Sequence, residues 1–151
     1  MTSHPSEQAQ AGDEGSAVVE FVFLGVLLLV PLIYLTLMVA RVQAGSYAVA
    51  QAAREAGRAF VTTVDGQDPG LRADAAALIA FADQGFDAGD SGITISCSAS
   101  PCLTPEGRVE VRAEVSVPLP LIPSFARSVV PLEVPVSSTH VLIVDRFRGV
   151  G

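Results

Sequence analysis

The spacing of hydrophobic and polar positions divides the chain into distinct stretches. Residues 1–15, MTSHPSEQAQAGDEG, are polar, small and turn-rich. They carry no apolar period and are expected to be disordered. From Phe21 to Ala40 the sequence reads FVFLGVLLLVPLIYLTLMVA, 20 residues without a charge, Asn or Gln. At ~1.5 Å of rise per residue this run makes a helix of about 30 Å, the hydrocarbon thickness of a bilayer. It predicts a single transmembrane helix, with a kink at Pro31 of the kind membrane helices tolerate. Helical periodicity continues through RVQAGSYAVAQAAREAGRAF, residues 41–60. There Ala44, Ala48, Ala52 and Ala56 recur every fourth residue, with Val42, Val49, Ala53 and Phe60 beside them. Gln43, Gln51, Arg54, Glu55 and Arg58 form the polar side. A ridge of small residues lets a second helix approach closely. It serves equally well to cover the chain's own small domain, and both uses fit the sequence. From Ala17 to Val61 the helix would run roughly 65–70 Å, half in the membrane and half projecting from it.

The segment DGQDPG, residues 65–70, breaks this helix. Asp68 is an N-cap candidate with Pro69 at the first helical position, which predicts a second helix over residues 69–84. Leu71, Ala75, Leu78 and Ala82 give that helix an apolar stripe, and Gly85 ends it. Strand patterns follow. GITISCS, residues 92–98, is short. RVEVRAEVSV, residues 108–117, alternates strictly, with Val109, Val111, Ala113, Val115 and Val117 on one face. That is the signature of a half-buried antiparallel strand. PLPLIPSF, residues 118–125, is expected to be an apolar loop, because Pro118, Pro120 and Pro123 cannot continue a ladder. A last strand is expected over residues 130–144, with Pro131 and Pro135 marking an edge or bulge. The fold class is therefore α+β: a long N-terminal helix and a small domain of one helix and an antiparallel sheet. The expected divisions are 1–15, 16–40 (the span), 41–62 (the helical extension) and 63–151 (the small domain).

Composition adds constraints. Half of the 151 residues are hydrophobic, the net charge is -7, and all nine basic residues are Arg. Without a basic run or an aromatic-studded basic patch, nucleic acid is not an expected partner. Cys97 and Cys102 stand close together in CSASPC, and with a membrane anchor they suggest an extracytoplasmic disulfide. A metal site is not expected, since His4 and His140 are far apart in sequence and no second Cys pair exists. Asp83, Asp87 and Asp90 do not match the ligand spacing of an EF-hand loop and read as a solvated acidic turn. His140 sits in an alternating strand with no nucleophile or acid partner in view. No catalytic constellation is visible, so neither an enzyme nor a cofactor is expected.

The stretch DEGSAVVEF, residues 13–21, places Glu20 at the edge of the apolar run. A charge inside a span costs roughly 2.5–3.5 kcal/mol at a helix centre on insertion scales, so a compensating partner is expected. Gly15 precedes Ser16, Glu20 is the fifth residue counting from Ser16, and Phe21 opens the run. This arrangement resembles the cleavage region of type IV prepilins. With SAVVEFVFLGVLLLVPLIYLTLMVARVQ and the following AAREAGRAF, it is similar to the TadE-like pseudopilins of tight-adherence (Flp, type IVb) pilus systems. The resemblance covers residues 15 to about 60.

The resemblance implies that Gly15 precedes the scissile bond read by a membrane prepilin peptidase, and that Ser16 becomes the new N-terminus. An α-amine is mostly protonated at neutral pH. Glu20 would pair with that cation, from its own chain or from a neighbouring subunit, at the head of the span opened by Phe21. The implied partners are the peptidase, other pseudopilins or the major pilin, the inner-membrane pilus assembly machinery and the lipid bilayer. The leader departs from the usual pattern in having no Lys or Arg; it carries Glu7, Asp13 and Glu14. Arg41, Arg54 and Arg58 after the span would, on the positive-inside rule alone, put the small domain in the cytoplasm. The cysteine pair and the resemblance put it outside. A rival reading is a signal-peptide-processed secreted or membrane-anchored binding module, cut after Ala44, where Val42 and Ala44 supply small residues at the required positions.

Overall fold

The computed structural model describes residues 13–119 and 133–147. The polar leader up to residue 12, and Pro120, Pro123 and Pro131 with the apolar loop around them, lie outside the described residues. The chain is α+β. Helix α1 (Asp13–Val61) and helix α2 (Pro69–Asp83) are followed by strands β1 (Ser91–Cys97), β2 (Arg108–Pro118) and β3 (Glu133–Ile143). The strands form one antiparallel sheet in the order β1-β2-β3. Residues up to Leu37 and residues from Met38 onward are separate packing units.

In the first unit α1 is long and apolar enough to cross a membrane. Most of its side chains stand exposed, Phe21 at 77 %. Pro31 lies within the helix. The helix begins at Asp13, earlier than expected. Only Gly15 opposes helix there, and an interior glycine costs just about 1 kcal/mol relative to Ala.

In the second unit the remainder of α1 lies against the sheet. Gly45, Ala48, Val49, Ala52, Ala53, Ala56 and Phe60 are buried, facing Val109, Val111, Ala113, Val115 and Val117 of β2, each at most 2 % exposed. The alanine ridge at Ala48, Ala52 and Ala56 is thus spent on the chain's own core, and Ala44 is half-buried at its end. At two glycines of α1 an added side chain would collide with the sheet. A Cβ on Gly45 would lie 2.5 Å from Val117 Cγ2, and one on Gly57 would run into Leu142 Cδ1.

Helix α2 starts as its sequence indicates. Asp68 Oδ1 accepts the amides of Gly70 at 2.8 Å and Leu71 at 3.2 Å, with Pro69 at the first position. It stops before Gly85, whose φ of +72° a side chain would disfavour. Its buried face is not the expected one. Ala73, Ala77, Ala80 and Phe81 are buried, while the stripe of Leu71, Ala75, Leu78 and Ala82 is exposed. Alanines let α2 approach β1, and Phe81 fills the remaining space. Leucines on that face would hold helix and sheet apart.

Two prolines sit inside strands. Pro118 ends β2 opposite Glu133 rather than starting the loop. Ser116 N donates to Asp90 O and Ser98 N to Arg108 O, so even-numbered residues of β2 point their amides and carbonyls toward β1. The missing N–H of Pro118 faces that side, beyond the start of β1 at Ser91, and no ladder bond is lost. By the same parity Val144 exchanges bonds with the 106–107 turn. The nitrogen of Pro135 therefore faces the free edge of β3.

Candidate functional site

The residues singled out by sequence fall in three places. Gly15, Ser16, Glu20 and Phe21 occupy the first turns of α1. All four are exposed, and nothing lies within 4 Å of where a Cβ on Gly15 would sit. The Gly15–Ser16 bond is inside the first helical turn. Glu20 is four residues after Ser16 and therefore on the same helix face. Helical side chains tilt toward the N-terminus, which aims the Glu20 carboxylate back at the Ser16 nitrogen. An amine created at Ser16 would find this carboxylate one turn away.

The second place is the disulfide. Cys97, the last residue of β1, is bonded to Cys102 across a Cα separation of 5.4 Å. Both cysteines pack beside the core. Closing so short a loop stabilises the fold by at most about 2–3 kcal/mol on loop-entropy arithmetic.

The third place is where α1 enters the second unit, and the sequence reading missed its role. Arg41 Nη2 donates to Gly85 O at 3.0 Å and Nη1 to Gln84 O at 3.5 Å, with the guanidinium 4.4 Å from the centre of the Phe86 ring. These carbonyls belong to the C-terminal end of α2, the negative end of its dipole. Phe86 is buried and supplies a cation–π face. Arg41 is visible in sequence as the first charge after the span. Its partners lie 43 and 44 residues away, so no local pattern reveals them.

Asp83, Asp87 and Asp90 are exposed. Asp87 O accepts both Ser91 Oγ and the Asp90 amide, so the segment is a hydrogen-bonded turn. Among the described residues no three His, Cys, Asp or Glu side chains gather to hold a metal. His140 is half-buried on β3 opposite Val111. An open groove of about 530 Å³ runs over the outer sheet face past Thr94, Glu114 and Ser137. Its one cation, Arg112, is engaged by Glu114 and Ser137. No family model, curated protein or solved structure matches the chain.

Proposed function

We propose that this chain is a TadE-like pseudopilin: a single-pass membrane protein, cut by a prepilin peptidase, that serves as a structural component in assembling a Flp-type adhesion pilus. The observation that carries the reading is Glu20, four residues after Ser16 on one helix face and directly ahead of the 20-residue apolar run. A carboxylate at that point has a physical reason to exist if cleavage creates an amine one turn above it. The packing of α1 supports this reading over the signal-peptide rival. Arg41, Val42 and Ala44 belong to the second unit and pack against the rest of it, and a cut after Ala44 would strip them from it. The partners in this reading are the peptidase, other pseudopilins or the major pilin, and the inner-membrane machinery.

Sequencing the N-terminus of the membrane-extracted protein tests it. The expected start is Ser16, and Gly15→Leu should leave the full-length precursor. A start at Gly45 would favour the rival, and an intact Met1 would end both processing readings.

The reading also places the second unit outside the membrane, in an oxidising compartment. Alkylating intact cells without reductant should leave Cys97 and Cys102 unmodified, and prior reduction should make both reactive. Full alkylation without reductant would argue for the cytoplasmic side indicated by the arginine flank.

A further inference from the structure

The connection from α1 to α2 turns at an aspartate–glycine pair. Gln67 N donates to Val64 O at 3.3 Å, which puts Asp65 and Gly66 at the two central positions of the turn. Gly66 has a φ of +84°, in the left-handed region that the second central residue of a type II turn requires and that glycine enters at no steric cost. Both residues are exposed, and nothing lies within 4 Å of where a Cβ on Gly66 would sit. Among the described residues the peptide between them is unbonded at both ends: the Asp65 carbonyl accepts no hydrogen bond and the Gly66 amide donates none. The Asp65 carboxylate likewise meets no donor or cation among the described residues.

The other aspartates whose side chains are described are each engaged. Asp68 Oδ1 accepts the amides of Gly70 and Leu71, and the proline after it has no amide hydrogen to lose. Asp74 lies inside α2. Asp83 ends α2, and the Gln84 amide after it donates to Phe81 O. Asp87 O accepts the Ser91 hydroxyl and the Asp90 amide, and Asp90 O accepts the Ser116 amide. Asp145 Oδ1 accepts the Phe147 amide at 2.8 Å.

We propose that Asp65–Gly66 is a site of spontaneous isomerisation, at which the main chain is rerouted through the Asp65 side chain. The Gly66 nitrogen attacks Asp65 Cγ. The N–Cγ bond forms, and the amide hydrogen leaves with the carboxyl hydroxyl as water. The five-membered succinimide then takes water back. Addition at Cγ restores aspartate. Addition at the Asp65 carbonyl carbon breaks its bond to Gly66 and leaves an isoaspartate whose chain continues through Cβ and Cγ. The product has the composition of the starting chain, and no oxidant, reductant or enzyme enters. Ring closure swings the Gly66 peptide about the Asp65 Cα–C bond. A side chain on the attacking residue would crowd its nitrogen, and glycine has none. At Asp87, Asp90 and Asp145 the bonds given above oppose the same closure. The isomer adds one carbon to the main chain ahead of Asp68, the N-cap of α2. The inference needs neither the membrane span nor cleavage after Gly15.

The test incubates the full-length chain in detergent at neutral pH and physiological temperature over several weeks, with circular dichroism confirming that it stays folded, and then digests it with trypsin. The peptide of residues 59–72, released by cuts after Arg58 and Arg72, should split into two species of equal mass, with a transient third lighter by one water. Fragmentation should place the new linkage at residue 65. Conversion at Asp87 and Asp90 should appear only in denaturant. Gly66→Val should remove the isomer. Asp65→Glu, which keeps the charge and the glycine but would need a six-membered ring, should remove it as well. Asp65→Asn should accelerate conversion, with ammonia leaving in place of water. A single species for residues 59–72 would overturn the proposal, as would conversion at Asp87 or Asp90 equal to that at Asp65 in the folded chain. Undiminished conversion in Gly66→Val or Asp65→Glu, or no acceleration in Asp65→Asn, would do the same.

Discussion

Glu20→Ala should abolish assembly while leaving membrane insertion intact. A charge at the edge of a span raises the cost of insertion, so the alanine variant should enter the bilayer at least as readily. Cleavage should persist, because Gly15 and the Gly15–Ser16 bond are untouched. What disappears is the carboxylate facing the new amine. In a protein-lined, low-dielectric setting an unpaired ammonium is far more costly than in water, and the subunit would have no counterion to bring into an assembly. Glu20→Gln separates charge from hydrogen bonding: it should fail if charge neutralisation is the requirement. The measurement is co-purification with the other pilus components together with surface fibre counts, at membrane levels matched to the unmodified chain. Normal recovery and normal fibres with Glu20→Ala would reduce Glu20 to a solvated helix-end residue and remove the main support for the pilus reading.

The largest effect on stability is expected at Gly45. It is buried where α1 crosses β2, and a Cβ there would lie 2.5 Å from Val117 Cγ2, a separation that real contacts do not allow. Val117 is fully buried, on the central strand, and β-branching leaves its side chain few alternative rotamers. Overpacking of this kind costs about 1–3 kcal/mol and occasionally more. Gly45→Leu, which adds four carbons, should fall at the upper end despite leucine's good helix propensity. For a domain of this size that corresponds to a midpoint lower by roughly 10 °C or more. Gly57→Ala is the milder comparison. Its Cβ meets the flexible end of Leu142, half-buried on edge strand β3, which can turn aside. Relief of the glycine penalty offsets the crowding at about 1 kcal/mol, so stability should be nearly unchanged. Thermal unfolding of the full chain in detergent, followed by circular dichroism, distinguishes the two. Equal losses at both positions would mean that the helix and sheet do not approach at Gly45 as described.

The contrast between these glycines marks what sequence reading can reach. The apolar run from Phe21 to Ala40, the alternation of β2, the Asp68–Pro69 start of α2 and the glycine that ends it were all legible, because each depends on a period or on a residue and its near neighbours. The placement of Gly15, Ser16 and Glu20 on one helix was legible for the same reason, since it is set within two turns. Tertiary structure alone decided the rest. Two apolar stripes on α2 compete for burial. Hydrophobicity favours the one with leucines, yet the one with Ala73, Ala77 and Ala80 faces the sheet, since distance between layers is set by side-chain volume on both sides at once. Arg41 needed acceptors 43 and 44 residues away. Gly45 and Gly57 were ordinary glycines in a helical pattern until Val117 and Leu142 were placed against them. Pro118, which reads as a strand breaker, is harmless because its missing donor faces a side where β1 has not yet begun. Each of these outcomes depends on what a residue meets across the fold, and that neighbour is absent from any local window of the chain.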